Sequence, residues 1–448
     1  MTLPLFSPDN LPEPPSPAQA AQSMPAGKPR LRRPIRDQIE MRWASLDDLL
    51  EADHPVRVVW AAVCTLDLKS WLGEIKAVEG HVGRDATDPR LLVALWVFAT
   101  LKAVGSAREL ARFCQESLPY QWLCGGVSIN YHMLSDFRSS GGEKWDELLT
   151  QIVGTLLDAG LAKMDRVAQD GMRVRANAGK SSFRRLGTLE ECLEAAKEQV
   201  ETLKQLAEED TAELTRRQRA ARERAARERQ QRIEEAMRQC EELQKQREAS
   251  SARKQREARA STTDPDARVM KFPDGGYRPG YNVQFATDTE SGVIVGVEVT
   301  NAGNDGQELP PMLDQLHERY EQMPNEALVD GGFATKGAID QADQRGCTVY
   351  APINAEEKKR AAGKDPHAPC KGDSDAVAAW RSRMGTEAAK LIYRLRGQTA
   401  EWVNAQARNR GFWFMPVRGQ PRCRTIALLF AITHNLTVAG RLRTAAGQ

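Results

Sequence analysis

The sequence predicts a mixed α/β core, preceded by an all-α segment and interrupted by a long, charged helical insertion. Helix caps and 3.6-residue apolar spacing dominate residues 36–162, two apolar strand-like runs end in Asp170 and Asp330, and no Gly or Pro occurs between Gly187 and Pro265. At 448 residues the chain is long enough for about three domains and a sizeable core.

The first 30 residues contain eight of the 23 prolines and few large apolar residues. Residues 1–35 are therefore expected to form a disordered arm. Lys28, Arg30, Arg32, Arg33 and Arg36 close it, either as a solvated tail or as a contact for DNA phosphates.

Residues 36–162 then read as an α-helical N-terminal domain. Asp88-Pro89 supplies an N-cap and a first-turn proline for a helix from residue 90 to about 104. Ala103-Val104-Gly105 forms a turn, and Ser106 with Glu109 makes a capping box for the next helix. The short helices end in the stretch from Asn130 to Arg138, which suits either a helix-turn-helix-like DNA reader or a plain helical bundle.

A strand pattern follows at residues 163–175, with Val167-Ala168 running into Asp170 and Gly171 allowing the backbone to turn at the strand end. Residues 187–263 form the insertion. Leu189, Leu193, Ala196, Val200, Leu203 and Ala207 make a heptad seam, and Thr188 with Glu191 caps its start. Residues 188–213 carry nine acids and two lysines, while 214–260 carry fifteen Lys and Arg against eight Glu. Together with a second capping box from Asp210 to Glu213, these opposite charges favour a coiled-coil hairpin returning through Ile233, Ala236, Cys240 and Leu243. A single long helix is the alternative. Such an arm suits dimerisation, a basic surface for DNA, or a solvated spacer.

Beyond it the apolar period becomes two. Residues 281–287 and 293–299, joined by a turn at 288–292, read as an antiparallel hairpin. A helix over 307–322, a buried strand from Glu326 to Asp330, a helix over 336–345 and a strand over 347–351 follow. Residues 354–383 read as a loop, helix resumes near Thr386 and runs through Glu401, and a last apolar helix spans about 425–441. With the insertion set aside, this is the element order of a ribonuclease-H-like α/β domain, covering 163–186 and 264–442. In that fold Asp170 and Asp330 lie on neighbouring strands, with Glu401 presented from a packing helix.

Taken alone, Glu401 among the arginines of Tyr393-Arg394-Leu395-Arg396 reads better as a surface ion pair than as a site residue. Three converging carboxylates, by contrast, repel one another unless cations neutralise them, which implies bound divalent metal. Oxygen-only ligands select Mg²⁺ or Mn²⁺ over zinc. Two such ions roughly 3.5 to 4 Å apart activate a water or a 3′-hydroxyl and stabilise the leaving oxygen of a phosphodiester. Asp170 is the expected bridging ligand, with Asp330 and Glu401 holding one metal each. Asp288, at a hairpin turn, and Asp305, before a helix, are read instead as capping residues.

These residues resemble the DDE transposases of bacterial insertion sequences, in the group with an α-helical N-terminal domain. The resemblance covers about residues 36–442. It rests on Asp88-Pro89-Arg90-Leu91-Leu92, Asp170-Gly171, Gly280-Tyr281-Asn282-Val283-Gln284, Val329-Asp330-Gly331-Gly332-Phe333, and the helix carrying Tyr393, Arg396 and Glu401. It implies a catalytic triad of Asp170, Asp330 and Glu401 that cuts and transfers DNA strands with Mg²⁺ or Mn²⁺. It further implies that Tyr393 and Arg396 steady the catalytic helix or hold phosphate, with Arg408 touching transposon-end DNA; Lys271 and Arg138 are expected as further DNA contacts beside these. Double-stranded DNA, as transposon ends and target, is the implied partner, with a homodimer in the synaptic complex. The sequence departs from the family at Trp402, commonly proline, and at Arg408, commonly lysine; Arg keeps the charge but not the point-like geometry of Lys. A non-catalytic DNA-binding or assembly protein derived from such an enzyme is the alternative reading. A helical structural protein built on residues 188–260 fails to explain the strand-rich remainder.

Overall composition excludes little. The 63 Lys and Arg nearly cancel the 61 Asp and Glu, so any nucleic-acid footprint is local. Eight cysteines without a CxxC pair suit reduced thiols better than zinc ligands or disulfides. The longest apolar runs, 91–99 and 426–432, fall short of the ~20 residues that span a bilayer. The N-terminus lacks a signal-peptide pattern, and a cytoplasmic, nucleoid-associated location is expected.

Overall fold

Caps written into the sequence set the first helices. The computed structural model describes residues 43–78, 80, 85–208, 216–249 and 257–445. The Pro-rich arm, the basic cluster ending at Arg36 and the capping box at Asp210 lie outside the described residues. Leu46–Gln448 forms one unit; Met1–Ser45 forms another, of which residues 43–45 are described.

Helices alone precede the first strand among the described residues: α1 (Pro55–Cys64), α2 (Lys69–Leu72), α3 (Pro89–Leu101), α4 (Ala107–Glu116), α5 (Leu118–Cys124), α6 (Tyr131–Ser140) and α7 (Gly142–Asp158). The Asp88 side chain accepts from Arg90 N at 2.8 Å, and Pro89 fills the first turn of α3 without wasting a donor. Ser106 accepts from Glu109 N, and Asn130 accepts from Met133 N at 2.9 Å. Between α3 and α4 the chain turns through Ala103, held at a left-handed φ of 59°.

The sheet holds β1 (Arg166–Arg175), β4 (Arg268–Lys271), β5 (Tyr277–Asp288), β6 (Ile294–Thr300), β7 (Glu326–Leu328) and β8 (Thr348–Tyr350), while β2 (Phe183–Arg184) and β3 (Ala260–Ser261) pair separately. β5 runs antiparallel to β1 on one edge and to β6 on the other, with β4 pairing its first residues. β1 pairs in parallel with β7, and β7 with β8. This mixed sheet, with helices packed on it, fits a ribonuclease-H-like DDE domain. The hairpin, the helices α10 (Leu309–Tyr320) and α11 (Lys336–Gln344), and the neighbouring first and fourth core strands match the order read from sequence.

The last helix, α16 (Gln420–Ala445), explains why the N-terminal helices and the sheet share one hydrophobic core. It packs against α7, α3 and β6, and its buried residues run from Cys423 to Ala439 on every side. A helix apolar all round belongs in a core; α16 is long and apolar enough to cross a membrane, and it is mostly buried within the protein. Two side-chain amides cover exposed backbone of the edge strand β6. Asn435 accepts from Ile294 N and donates to Ile294 O, both at 2.8 Å. Gln315 accepts from Val297 N at 3.0 Å and donates to Val297 O at 3.1 Å. Pairing of this kind blunts an edge that would otherwise invite another strand.

The insertion comprises α8 (Leu186–Glu208) and α9 (Arg216–Ala249), which lie against each other. Leu189 packs near Ala236 and Cys240, while Gln199 accepts from Arg229 at 2.8 Å, so the two helices run antiparallel. Leu189, Ala196 and Val200 on one helix and Ile233, Ala236 and Cys240 on the other are buried, while Leu193, Leu203 and Leu243 of the expected seam are only half-buried. Thr188 is not the cap, because α8 begins two residues earlier, at Leu186.

Residues 354–383 also differ from expectation. They contain α12 (Glu356–Ala361) and all but the last residue of α13 (Asp375–Met384), which is capped by Ser374 and buries Val377 and Trp380. Gly and Pro around Lys364 to Gly372 mask these short helices in the sequence.

Candidate active site

β1 does not end at Asp170; it continues through Arg175, so the acid sits in mid-strand. Gly171 serves close approach rather than a turn. A Cβ there would lie 2.5 Å from Asp305 Oδ1 and from Gln284 Nε2, and 2.8 Å from Asn282 Oδ1. Asp305 is accordingly no helix cap. Its Oδ1 accepts from Asn282 at 2.6 Å and from Gln284 at 2.9 Å, and Arg173 lies 3.5 Å from its other oxygen. Asp288 does cap its turn, accepting from Ser291 N at 3.0 Å.

The parallel register joins Ala168 to Leu328, where β7 ends two residues short of the expected Asp330; Asp330 follows in the loop, near enough for its charge to act on Asp170. Gly332 N donates to Asp330 Oδ1, and Asn354 donates to Gly331 O at 3.0 Å. These bonds fix the loop that follows β7.

Glu401 arrives by a route the sequence hides. Instead of one continuous helix, a π-helical turn at Gly397–Glu401 separates α14 (Glu387–Arg396) from α15 (Trp402–Asn409). In an α-helix residues five apart point about 140° from each other. The wider π turn, bonded from i to i+5, brings them to one face. Arg396 and Glu401 are five apart, and their Nη1 and Oε1 lie 3.3 Å from each other. The other end of the guanidinium reaches Asp170, with Nη2 to Oδ1 at 2.9 Å. Arg396 therefore bridges Asp170 and Glu401.

Asn404, one turn beyond Glu401, donates to Asp170 Oδ2 at 2.8 Å, and Gly171 N donates to Oδ1 at 3.0 Å. Sequence reading missed Asn404, although its i+3 spacing from Glu401 puts both on one helix face. Burial raises the Asp170 carboxyl above its ordinary range; Arg396 opposes this and the charge of Asp330 adds to it. Burial also opposes the charge of Arg396, but Asp170, Tyr393, Asp330 and Glu401 outweigh it and raise its pKa. The Asp170 side chain is 17% exposed and that of Glu401 65%, so Glu401 is the acid with room to swing.

Among the described residues, no group of three His, Cys, Asp or Glu side chains is drawn together to hold a metal. The donors fit a hard cation in kind: all are carboxylate oxygens, Asp170 and Asp330 sense each other, and a guanidinium already lies between Asp170 and Glu401. Exchange of that guanidinium for a metal would require Glu401 to leave Arg396.

The expected DNA contacts divide. Arg408 is exposed at the end of α15, and Lys271 is exposed at the end of β4. Tyr393 is half-buried, its hydroxyl pKa pushed up by burial with Arg396 opposing. Arg138 is a correction: it is 5% exposed, stacks 4.1 Å over Trp96 and donates to Gly105 O at 2.8 Å, so it serves the core. Burial lowers its pKa to about 10. Trp402 packs edge-on against His434, with ring centroids 5.2 Å apart, and lies under Arg441.

Residues 257–411, which include Asp330 and Glu401, match the family described as Transposase DDE domain. Residues 44–140 match the family described as Transposase domain (DUF772). The two matches together indicate an insertion-sequence transposase of the DDE type. In this transposase Asp170 precedes the matched DDE segment and joins it only through the β1–β7 pairing and the contacts to Arg396 and Asn404. Searches among curated proteins and among solved structures return no match to the transposase.

Proposed function

We infer that the protein binds the terminal inverted repeats of its element, cuts phosphodiester bonds and joins the freed 3′ ends to target DNA. The observation that carries this reading is the meeting of Asp170, Asp330 and the Arg396–Glu401 pair, residues up to 231 positions apart in the chain (170 to 401). Asp170 would hold divalent metal from β1 and Asp330 from the loop after β7, and Glu401 would join them on releasing Arg396. Bound Mg²⁺ or Mn²⁺ supplies an activated oxygen nucleophile and stabilises the leaving oxygen.

The chain's own residues account for the rest. Asn404 orients Asp170 by its hydrogen bond to Oδ2. Arg396 neutralises the acids when metal is absent and, once freed, offers a fork suited to phosphate. Arg408, Tyr393 and Lys271 would contact DNA. The helices of residues 36–162 would read the ends, and two copies would meet in the synaptic complex. The test is incubation with Mg²⁺ and duplexes from the flanking genomic ends. Nicking by the wild type that is lost in Asp330→Asn supports the reading.

The bridge formed by Arg396 favours one alternative, a non-catalytic DNA-binding descendant in which the salt bridge is permanent. A metal-independent gel shift without strand cutting would establish it.

A further inference from the structure

At the root of the insertion, where α9 returns to the sheet, a cavity of about 740 Å³ opens between β2, β4 and the end of α9. Lys180, Arg185, Arg247, Arg259 and Arg268 all line it, against Glu257 as the one acid among its lining residues. That acid is already engaged: its carboxylate lies 2.8 Å from Arg185, and its backbone carbonyl accepts from Arg247 at 2.7 Å. Lys180 and Arg259, both exposed, face the same concavity beside these engaged arginines, and an anion there relieves the mutual repulsion. Burial lowers the pKa of Arg268, with Asp266, Glu242 and Asp264 opposing, and its guanidinium donates to Pro265 O at 2.7 Å and to Gln239, so it forms the wall behind the cavity.

The wall is also aromatic. Tyr277, the first residue of β5, lines the cavity and is 57% exposed among the described residues. Exposed rings beside a positive groove are stacking platforms for nucleic-acid bases, while the cations track the backbone. Lys271, exposed at the end of β4 and paired with Tyr277 across the strands, extends the positive edge outward.

We propose that this cavity is a DNA-backbone site separate from the acidic cluster. Lys180 and Arg259 would hold phosphates there, and Tyr277 would pack a base or sugar. This rests on the transposase reading for its partner, and it gives the insertion a role as a clamp on DNA outside the cutting site.

The experiment is a salt titration of full-length protein on a fluorescein-labelled duplex from the flanking genomic ends, comparing wild type with the double variant Lys180→Ala/Arg259→Ala. Each lost phosphate contact makes log K against log salt shallower by about 0.9, so the slope should fall by about 1.8 and affinity at low salt by at least tenfold. The charge-keeping variant Lys180→Arg/Arg259→Lys should restore the slope, which separates lost charge from misfolding. Tyr277→Ala should weaken binding with the slope unchanged, since it removes no charge. A double variant with wild-type slope and affinity overturns the proposal. Asp170→Asn serves as the control: if it abolishes cutting but keeps the slope, the two sites are distinct. Failure of the wild type to cut would sink the catalytic reading and leave this test standing.

Discussion

Asp170 carries a charge that its surroundings resist. Burial raises its pKa above the ordinary 3.8, with Arg396 opposing and Asp330 adding. A raised carboxyl contributes stability that is complete below the unfolded value and is lost as pH rises through the folded value. Asp170→Asn, which never ionises, should therefore gain in melting temperature over wild type as pH climbs from about 3.5 to about 7. Thermal melts across that range check it; a difference that stays constant would contradict the burial account. The same residue shows what sequence conveys at this scale. An aspartate at the end of an apolar run marks the acid, but its neighbours Arg396 and Asn404 lie more than 200 residues away and only the fold joins them (170 to 396 and 404). Arg138 shows the converse, because a cation at the end of a short helix reads as a phosphate contact until Trp96 and Gly105 are seen around it.

Among the elements, those defined by local rules were the most legible. Capped helices such as α3 and α4, the hairpin β5–β6, and the seam of α8 and α9 follow from caps and apolar period. The π turn was not legible, since its composition resembles that of an α-helix and only Arg396 facing Glu401 reveals it. The helical arm buries its own cluster of Leu189, Ala236, Cys240, Ala258 and Ala260, separate from the main core. Replacing α8 and α9 by a short Gly/Ser loop between β2 and β3 should therefore leave the core melt within a few degrees while far-UV circular dichroism loses helical signal. Loss of the cooperative core transition would show instead that the arm is part of the main fold.

Across the whole molecule, α16 ties the N-terminal helices to the sheet, and it does so around a buried histidine. His434 lies 2.9 Å from Gly292 O through Nε2, and burial pushes its pKa down to about 4, with the Gly292 contact opposing and Arg410 and Arg441 adding. The unfolded chain takes this proton near pH 6.5, so stability should fall as pH drops from there towards 4, by up to roughly 3 kcal/mol. Urea melts at about pH 7 and about pH 4.5 should show the loss in wild type and much less of it in His434→Gln. The order of the five longer-patterned strands was readable, whereas the short strands β2, β3 and β4 were not, nor was one shared core for helices and sheet, since no local signal names the partner of an all-apolar helix.

The central claim is that Asp170, Asp330 and Glu401 act together on DNA. Its most direct test is strand cutting of duplexes from the flanking genomic ends with Mg²⁺, Mn²⁺ or EDTA, for wild type, Asp170→Asn, Asp330→Asn and Glu401→Gln. The account predicts cutting by wild type with either metal, none with EDTA, and a loss of at least about a hundredfold in each variant, while binding to the same duplexes persists. Cutting that survives in any one of the three variants would contradict it.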